Sequence, residues 1–121
     1  MLTVLVADDE FAVLEVLSMA LEGEGHRVLK AGDGADALRI LASQPCDVII
    51  CDENMPMMNG HQLIAAVRAE PRLAGLPIIF MAETWGRPLP AIPDAVVLGK
   101  PILLADLFGH VERLGKSRRK P

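Results

Sequence analysis

Leu2-Thr3-Val4-Leu5-Val6-Ala7-Asp8-Asp9 opens the chain with an apolar run that ends on two adjacent carboxylates. The pattern returns. Val48-Ile49-Ile50-Cys51 is followed by Asp52, and a third run ending near Leu98 is closed by Lys100 and Pro101. Short apolar runs bounded by turn-forming residues read as buried strands. In an open parallel α/β sheet the carboxyl ends of the strands lie along one edge, so groups distant in sequence converge there on one crevice. Acidic, acidic and basic groups at three such ends point to a site for phosphoryl transfer.

Working outward, strands are expected at residues 2–7, 27–31, 47–51, 77–81 and 95–98, and helical spacing fills the gaps. The first helix, residues 11–22, places Val13, Leu14, Leu17, Ala20 and Leu21 on one face and stops at Gly23 and Gly25. The second, 34–43, turns Ala37, Leu38 and Leu41 inward. The third, 60–70, does so with Leu63, Ile64 and Val67 before Pro71, and the last, 104–114, with Leu104, Leu107, Phe108 and Val111. Alternating strands and helices imply a parallel sheet covered on both faces, because each parallel pairing needs a crossover. With right-handed crossovers, five strands in the order 2-1-3-4-5 fit, and the switch point falls between strands 1 and 3, where Asp9 and Asp52 face each other.

Residues 82–94 break the alternation. Gly86, Pro88, Pro90 and Pro93 fall where a fourth helix is due, and each interior proline costs a helix about 3 kcal/mol. The expectation is an irregular crossover with at most one helical turn, so the fourth helix is degenerate or missing.

A length of 121 residues with 51% apolar content suits one domain with one core, assigned to residues 1–115 and followed by a basic tail, 116–121, that carries Lys116, Arg118, Arg119 and Lys120. A net charge of −4 argues against a nucleic-acid surface on this domain. No apolar stretch approaches the roughly 20 residues of a membrane span, and the N-terminus lacks the features of a signal peptide, so a cytoplasmic protein is expected. Cys46 and Cys51, if extended at about 3.3 Å per residue, sit too far apart for a disulfide and read as free thiols. His26, His61 and His110 are scattered singly and read as surface or half-buried residues.

Carboxylates brought within about 5 Å in a crevice of effective dielectric near 20 repel by about 3 kcal/mol per pair. A hard divalent cation with oxygen ligands is the natural remedy, and Mg²⁺ takes one or two carboxylates together with waters and a phosphate oxygen. Asp9 and Asp52 are the expected direct ligands, the backbone carbonyl of Asn54 a third, and Asp8 a partner through water. The plainer alternative for Asp8 and Asp9 is to cap the following helix. Asp52 precedes a turn rich in Pro, Asn and Gly, and a carboxylate placed there can attack phosphorus to give an acyl phosphate. Lys100 would then spread the charge on the transferring oxygens.

Val4-Leu5-Val6-Ala7-Asp8-Asp9-Glu10, Asp52 with Asn54-Met55-Pro56 and Gly60, and Lys100-Pro101 together resemble the receiver domain of two-component response regulators, over nearly the whole chain. The resemblance implies a flavodoxin-like fold and Mg²⁺ dependence. It also implies phosphorylation of Asp52 by a phosphohistidine on a sensor histidine kinase or histidine phosphotransfer protein. Such a domain would catalyse its own phosphorylation and dephosphorylation, and would not turn over an external substrate as an enzyme does.

Two positions depart from the family pattern. A Thr or Ser usually ends strand 4, five residues after a proline; counted from Pro77, that position is Ala82. An aromatic residue usually lies three before the lysine, where this chain has Val97. Chemistry is expected to survive while its readout changes, with Thr84 offering a substitute hydroxyl and Trp85 either repositioning on phosphorylation or packing on the sheet edge. The alternative is a pseudo-receiver that binds a partner without being phosphorylated. An aspartyl hydrolase would want a second acid where Asn54 stands, and a flavin site would want a Ser/Thr/Gly-rich loop after strand 1.

Overall fold

In a computed structural model that describes residues 1–119, the chain forms β1 (Thr3–Ala7), α1 (Phe11–Gly23), β2 (Arg27–Ala31), α2 (Gly34–Ser43), β3 (Val48–Asp52), α3 (Gly60–Ala69), β4 (Ile78–Ala82), β5 (Val96–Gly99) and α4 (Leu104–Arg119). All four strand pairings are parallel and the order is β2-β1-β3-β4-β5. This is the doubly wound, flavodoxin-like arrangement expected from the alternation of periods.

Side chains alternate across a strand, so each central strand feeds two cores. Leu5, Ala7, Ile49, Cys51, Ile78 and Phe80 pack on one face beneath Ala37 and Leu41 of α2 and Leu63 and Val67 of α3. Val4, Val6, Val48, Ile50, Ile79 and Met81 pack on the other beneath Leu14, Leu17 and Leu21 of α1 and Leu107 and Val111 of α4. β1, β3 and β4 are buried along their whole length, as befits strands covered on both faces.

Between β4 and β5 the described chain has no helix, only turns at Trp85-Gly86 and Pro93-Asp94, as the prolines require. Arg68 of α3 helps to fix this segment. Its guanidinium donates to the carbonyls of Ala74 (2.9 Å), Leu76 (2.7 Å) and Asp94 (2.6 Å).

Three sequence expectations need correction. The last helix does not stop at Leu114 but runs to Arg119, supported by the Glu112–Lys116 pair at 3.3 Å one turn apart. Lys116 and Arg118, assigned to a tail, are therefore helical, while Lys120 lies outside the described residues. Leu104 opens that helix exposed, and its apolar stripe begins at Leu107. His26 is buried rather than superficial: its Nδ1 accepts from the Leu2 amide at 3.3 Å, and its Nε2 lies 3.1 Å from Glu112.

Candidate phosphoryl-transfer site

Asp8 follows β1, Asp52 ends β3 and Lys100 follows β5, so parallel pairing brings all three to one sheet edge. Oxygens of Asp8, Asp9 and Asp52 lie within 4.8 Å of one another, with Asp8 and Asp52 buried and Asp9 exposed. Neither Asp8 nor Asp9 caps α1. The N-cap is Glu10, which makes no side-chain cap bond, and Asp8 instead accepts from the Glu10 amide at 2.9 Å through Oδ1.

The second oxygen of Asp8 is buried without a hydrogen-bond partner. Burial, above all, pushes its carboxyl up to about 6, the Glu10 amide opposing; repulsion from Asp52 and Asp9 adds to the rise and Lys100 counters it. An orphaned carboxylate oxygen facing two further carboxylates suits a hard, oxygen-seeking cation. The donor set therefore fits Mg²⁺.

Asp52 is held on both sides. Its Oδ2 accepts from the amide of Asn54 at 3.2 Å, and its Oδ1 is in ion-pair contact with Nζ of Lys100. Burial works against the Lys100 charge, but the hydrogen bond and charge of Asp52, with Asp8 and Glu83 behind it, outweigh burial and hold the ammonium above its ordinary value. The Asp52 loop is tied down by bonds from Glu53 N to Met81 O and from Gly60 N to Glu53 O, both 3.0 Å. Gly60 is needed there because a Cβ would stand 2.8 Å from the Phe80 ring. Asn59 and Gln62 then form a capping box that starts α3.

The atypical positions fall as follows. Ala82 is fully buried at the end of β4, pairs with Gly99, and its carbonyl accepts from the Lys100 amide at 2.9 Å. Val97 lies in β5 opposite Phe80, half-buried, and packs on the α2/α3 core. Thr84 lies against Gly99, its Cγ2 2.9 Å from where a Cβ would be. Trp85 is 82% exposed, so it does not pack on the sheet edge.

Sequence reasoning passes over Glu83, whose Oε1 lies 3.5 Å from Nζ of Lys100. The signal was present: Glu83 is an acidic residue directly after a buried strand, the same rule that picks out Asp8 and Asp52.

A family model for the response regulator receiver domain matches residues 4–91. The chain belongs to that family. The response regulator GtcR of Aneurinibacillus migulanus is 38% identical over 80 residues, covering 66% of this chain and 32% of that protein. The probable chemotaxis protein CheY of Rhizobium etli is 34% identical over 106 residues, covering 87% and 81% respectively. Among solved structures, the chemotaxis response regulator CheY4 of Vibrio cholerae superposes with a TM-score of 0.83 at 31% identity, covering 94% of this receiver domain and 98% of that chain. The domain spans about a third of the length of relatives such as GtcR and the probable transcriptional regulatory protein TcrX of Mycobacterium tuberculosis.

Proposed function

We propose that this receiver domain is a phosphoacceptor of a two-component system, with Asp52 as the phosphorylated residue. The contact between Asp52 and Lys100, made across the intervening β4 and backed by the Asp8/Asp9 pair, carries this reading. An oxygen of Asp52 forms the new P–O bond while the P–N bond of a phosphohistidine breaks, the electron pair leaving with the imidazole nitrogen. Lys100 neutralises charge on the transferring oxygens, and water later returns the carboxylate and inorganic phosphate. Asp9, Asp52 and the Asn54 carbonyl would hold Mg²⁺, with Asp8 acting through water, and the ion would supply charge neutralisation between the acidic groups and the incoming phosphate. The domain thus catalyses its own phosphorylation and dephosphorylation, in the cytoplasm, where its free Cys46 and Cys51 are at home.

The donor is a sensor histidine kinase or a histidine phosphotransfer protein. A groove of about 520 Å³ opens beside Lys100, lined by Val13 and Val16 of α1 and by Ile102 and Leu104. An apolar helix bearing the donor histidine would find complementary surface there.

Intact mass after exposure to phosphoramidate or acetyl phosphate with Mg²⁺ tests the reading. The expected result is a gain of one phosphoryl group that Asp52→Asn abolishes. No gain at saturating Mg²⁺ would overturn it in favour of a phosphorylation-independent interaction module.

A further inference from the structure

Lys100 has two carboxylate partners. One is Asp52; the other is Glu83, at 3.5 Å, the first residue after β4. β4 lies between the strands that carry Asp52 and Lys100, and its last side chain is only the methyl of Ala82. With no hydroxyl at that strand end, the other carboxylate within ion-pair distance of the ammonium is that of Glu83, while Asp8 acts on it from farther away. The Glu83 side chain is 31% exposed and that of Lys100 20%, so their attraction is partly screened but not lost to solvent. Among the described residues, no other cation lies within ion-pair distance of Asp52.

Phosphorylation adds negative charge at Asp52, and the added charge calls on the same ammonium. Resting on the reading of Asp52 as phosphoacceptor, we propose that Glu83 is a positioning residue that competes with Asp52 and its phosphoryl group for Lys100, and so holds down the fraction of the domain that carries phosphate. Glu83 acts in two ways. It draws the Lys100 ammonium off the line to Asp52, and its own charge opposes that of the incoming phosphoryl oxygens. Neither effect requires Glu83 to touch phosphorus or metal.

Glu83→Gln keeps the shape of the side chain and removes the charge; Glu83→Asp keeps the charge and shortens the reach. With Mg²⁺ and limiting phosphoramidate, intact mass should show Glu83→Gln phosphorylated about threefold to fivefold faster than wild type, the range expected for a partly exposed charge pair. Glu83→Asp should fall between the two. Beryllofluoride, an acyl-phosphate mimic, should bind Glu83→Gln tighter by a similar factor when followed by fluorine NMR. The ratio should shrink towards one in about 0.5 M salt, where the Debye length falls to a few ångströms; loss of a merely structural contact would not respond in this way. If wild type takes up phosphate and Glu83→Gln is no faster, or its advantage is insensitive to salt, the competition is refuted while the reading of Asp52 stands. If neither protein gains mass or binds beryllofluoride, the reading of Asp52 fails and this inference with it.

Discussion

Lys100 reaches Asp52 across a whole intervening strand. Lys100 follows β5 and Asp52 ends β3, β4 runs between them, and the crossing is open because the last residue of β4 is Ala82, whose carbonyl also receives the Lys100 amide. A small residue at that strand end leaves the ammonium a direct route to the acidic pocket. Ala82 therefore bears on the chemistry even though it offers no functional group of its own.

Lys100→Met should slow phosphorylation of Asp52 by small phosphodonors about 100-fold, the loss typical when one preorganised charge-stabilising group is removed. Phosphorylation should not vanish, because Asp52 and the other carboxylates remain. The rate of mass gain with acetyl phosphate measures this, and a Lys100→Met rate within about twofold of wild type would show that the ammonium takes no part in transfer.

Asp8 gives the metal-free domain a pH dependence of defined sign. Its carboxyl titrates near 6 in the folded state and at 3.8 in the reference state, so between these values the native state holds a proton that the unfolded chain has released. The Asp8 contribution is thus most favourable below about pH 4 and is lost as pH rises through about 6, an effect on the order of 3 kcal/mol. Urea midpoints in chelator should show Asp8→Asn gaining on wild type between pH 4.5 and 7.5. Saturating Mg²⁺ should close most of that gap at pH 7.5 by binding the native state. A gap of constant size across this pH range would mean that ionisation of Asp8 is not its origin.

Much of the fold was legible because period and burial agree. Val4, Leu5, Val6 and Ala7 are uninterrupted apolar residues in a strand covered on both faces, and each loses its water when the sheet forms. The ends of those runs placed Asp8, Asp52 and Lys100 without reference to coordinates, since chain direction in a parallel sheet fixes which edge they share. The misses have a common physical origin in partners remote along the chain. His26 reads as an isolated surface or half-buried residue until Glu112, on α4, is seen beside it. Lys116 reads as tail because it opens a basic run, yet α4 continues through it, with Gly115 buried against Leu2. Glu83 gains meaning only once Lys100 has crossed β4.

Arg68 replaces part of what a fourth helix would otherwise supply. Its three bonds to carbonyls span the turn after α3 and the end of the proline-rich segment, where Asp94 adopts a φ of 60°. Hydrogen bonds from a charged donor contribute about 1.5–3 kcal/mol each at most, and shared loss is less than additive, so Arg68→Met should cost about 2–4 kcal/mol. Lysine, with a point charge in place of the planar fork, should recover less than half. Urea denaturation measures both, and a loss below about 0.5 kcal/mol would show that the segment holds its place without the guanidinium.

Trp85 should report phosphorylation. It is the only tryptophan in the chain, it sits 82% exposed with a φ of 35° in the turn after Glu83 and Thr84, and the Arg87 amide closes that turn on the Thr84 carbonyl. Since Glu83 contacts Lys100, any shift of the ammonium towards a phosphoryl group on Asp52 alters the anchor of this turn, while Thr84 lies close enough to Gly99 to move with it. The emission of Trp85 should therefore change on addition of Mg²⁺ and beryllofluoride. Glu83→Gln should blunt the change, because the tether is already cut, and Thr84→Val should leave it if the hydroxyl has no part in the relay. Emission that stays constant while fluorine NMR shows the site filled would mean that the signal leaves the domain by another surface, with the turn a passive connector.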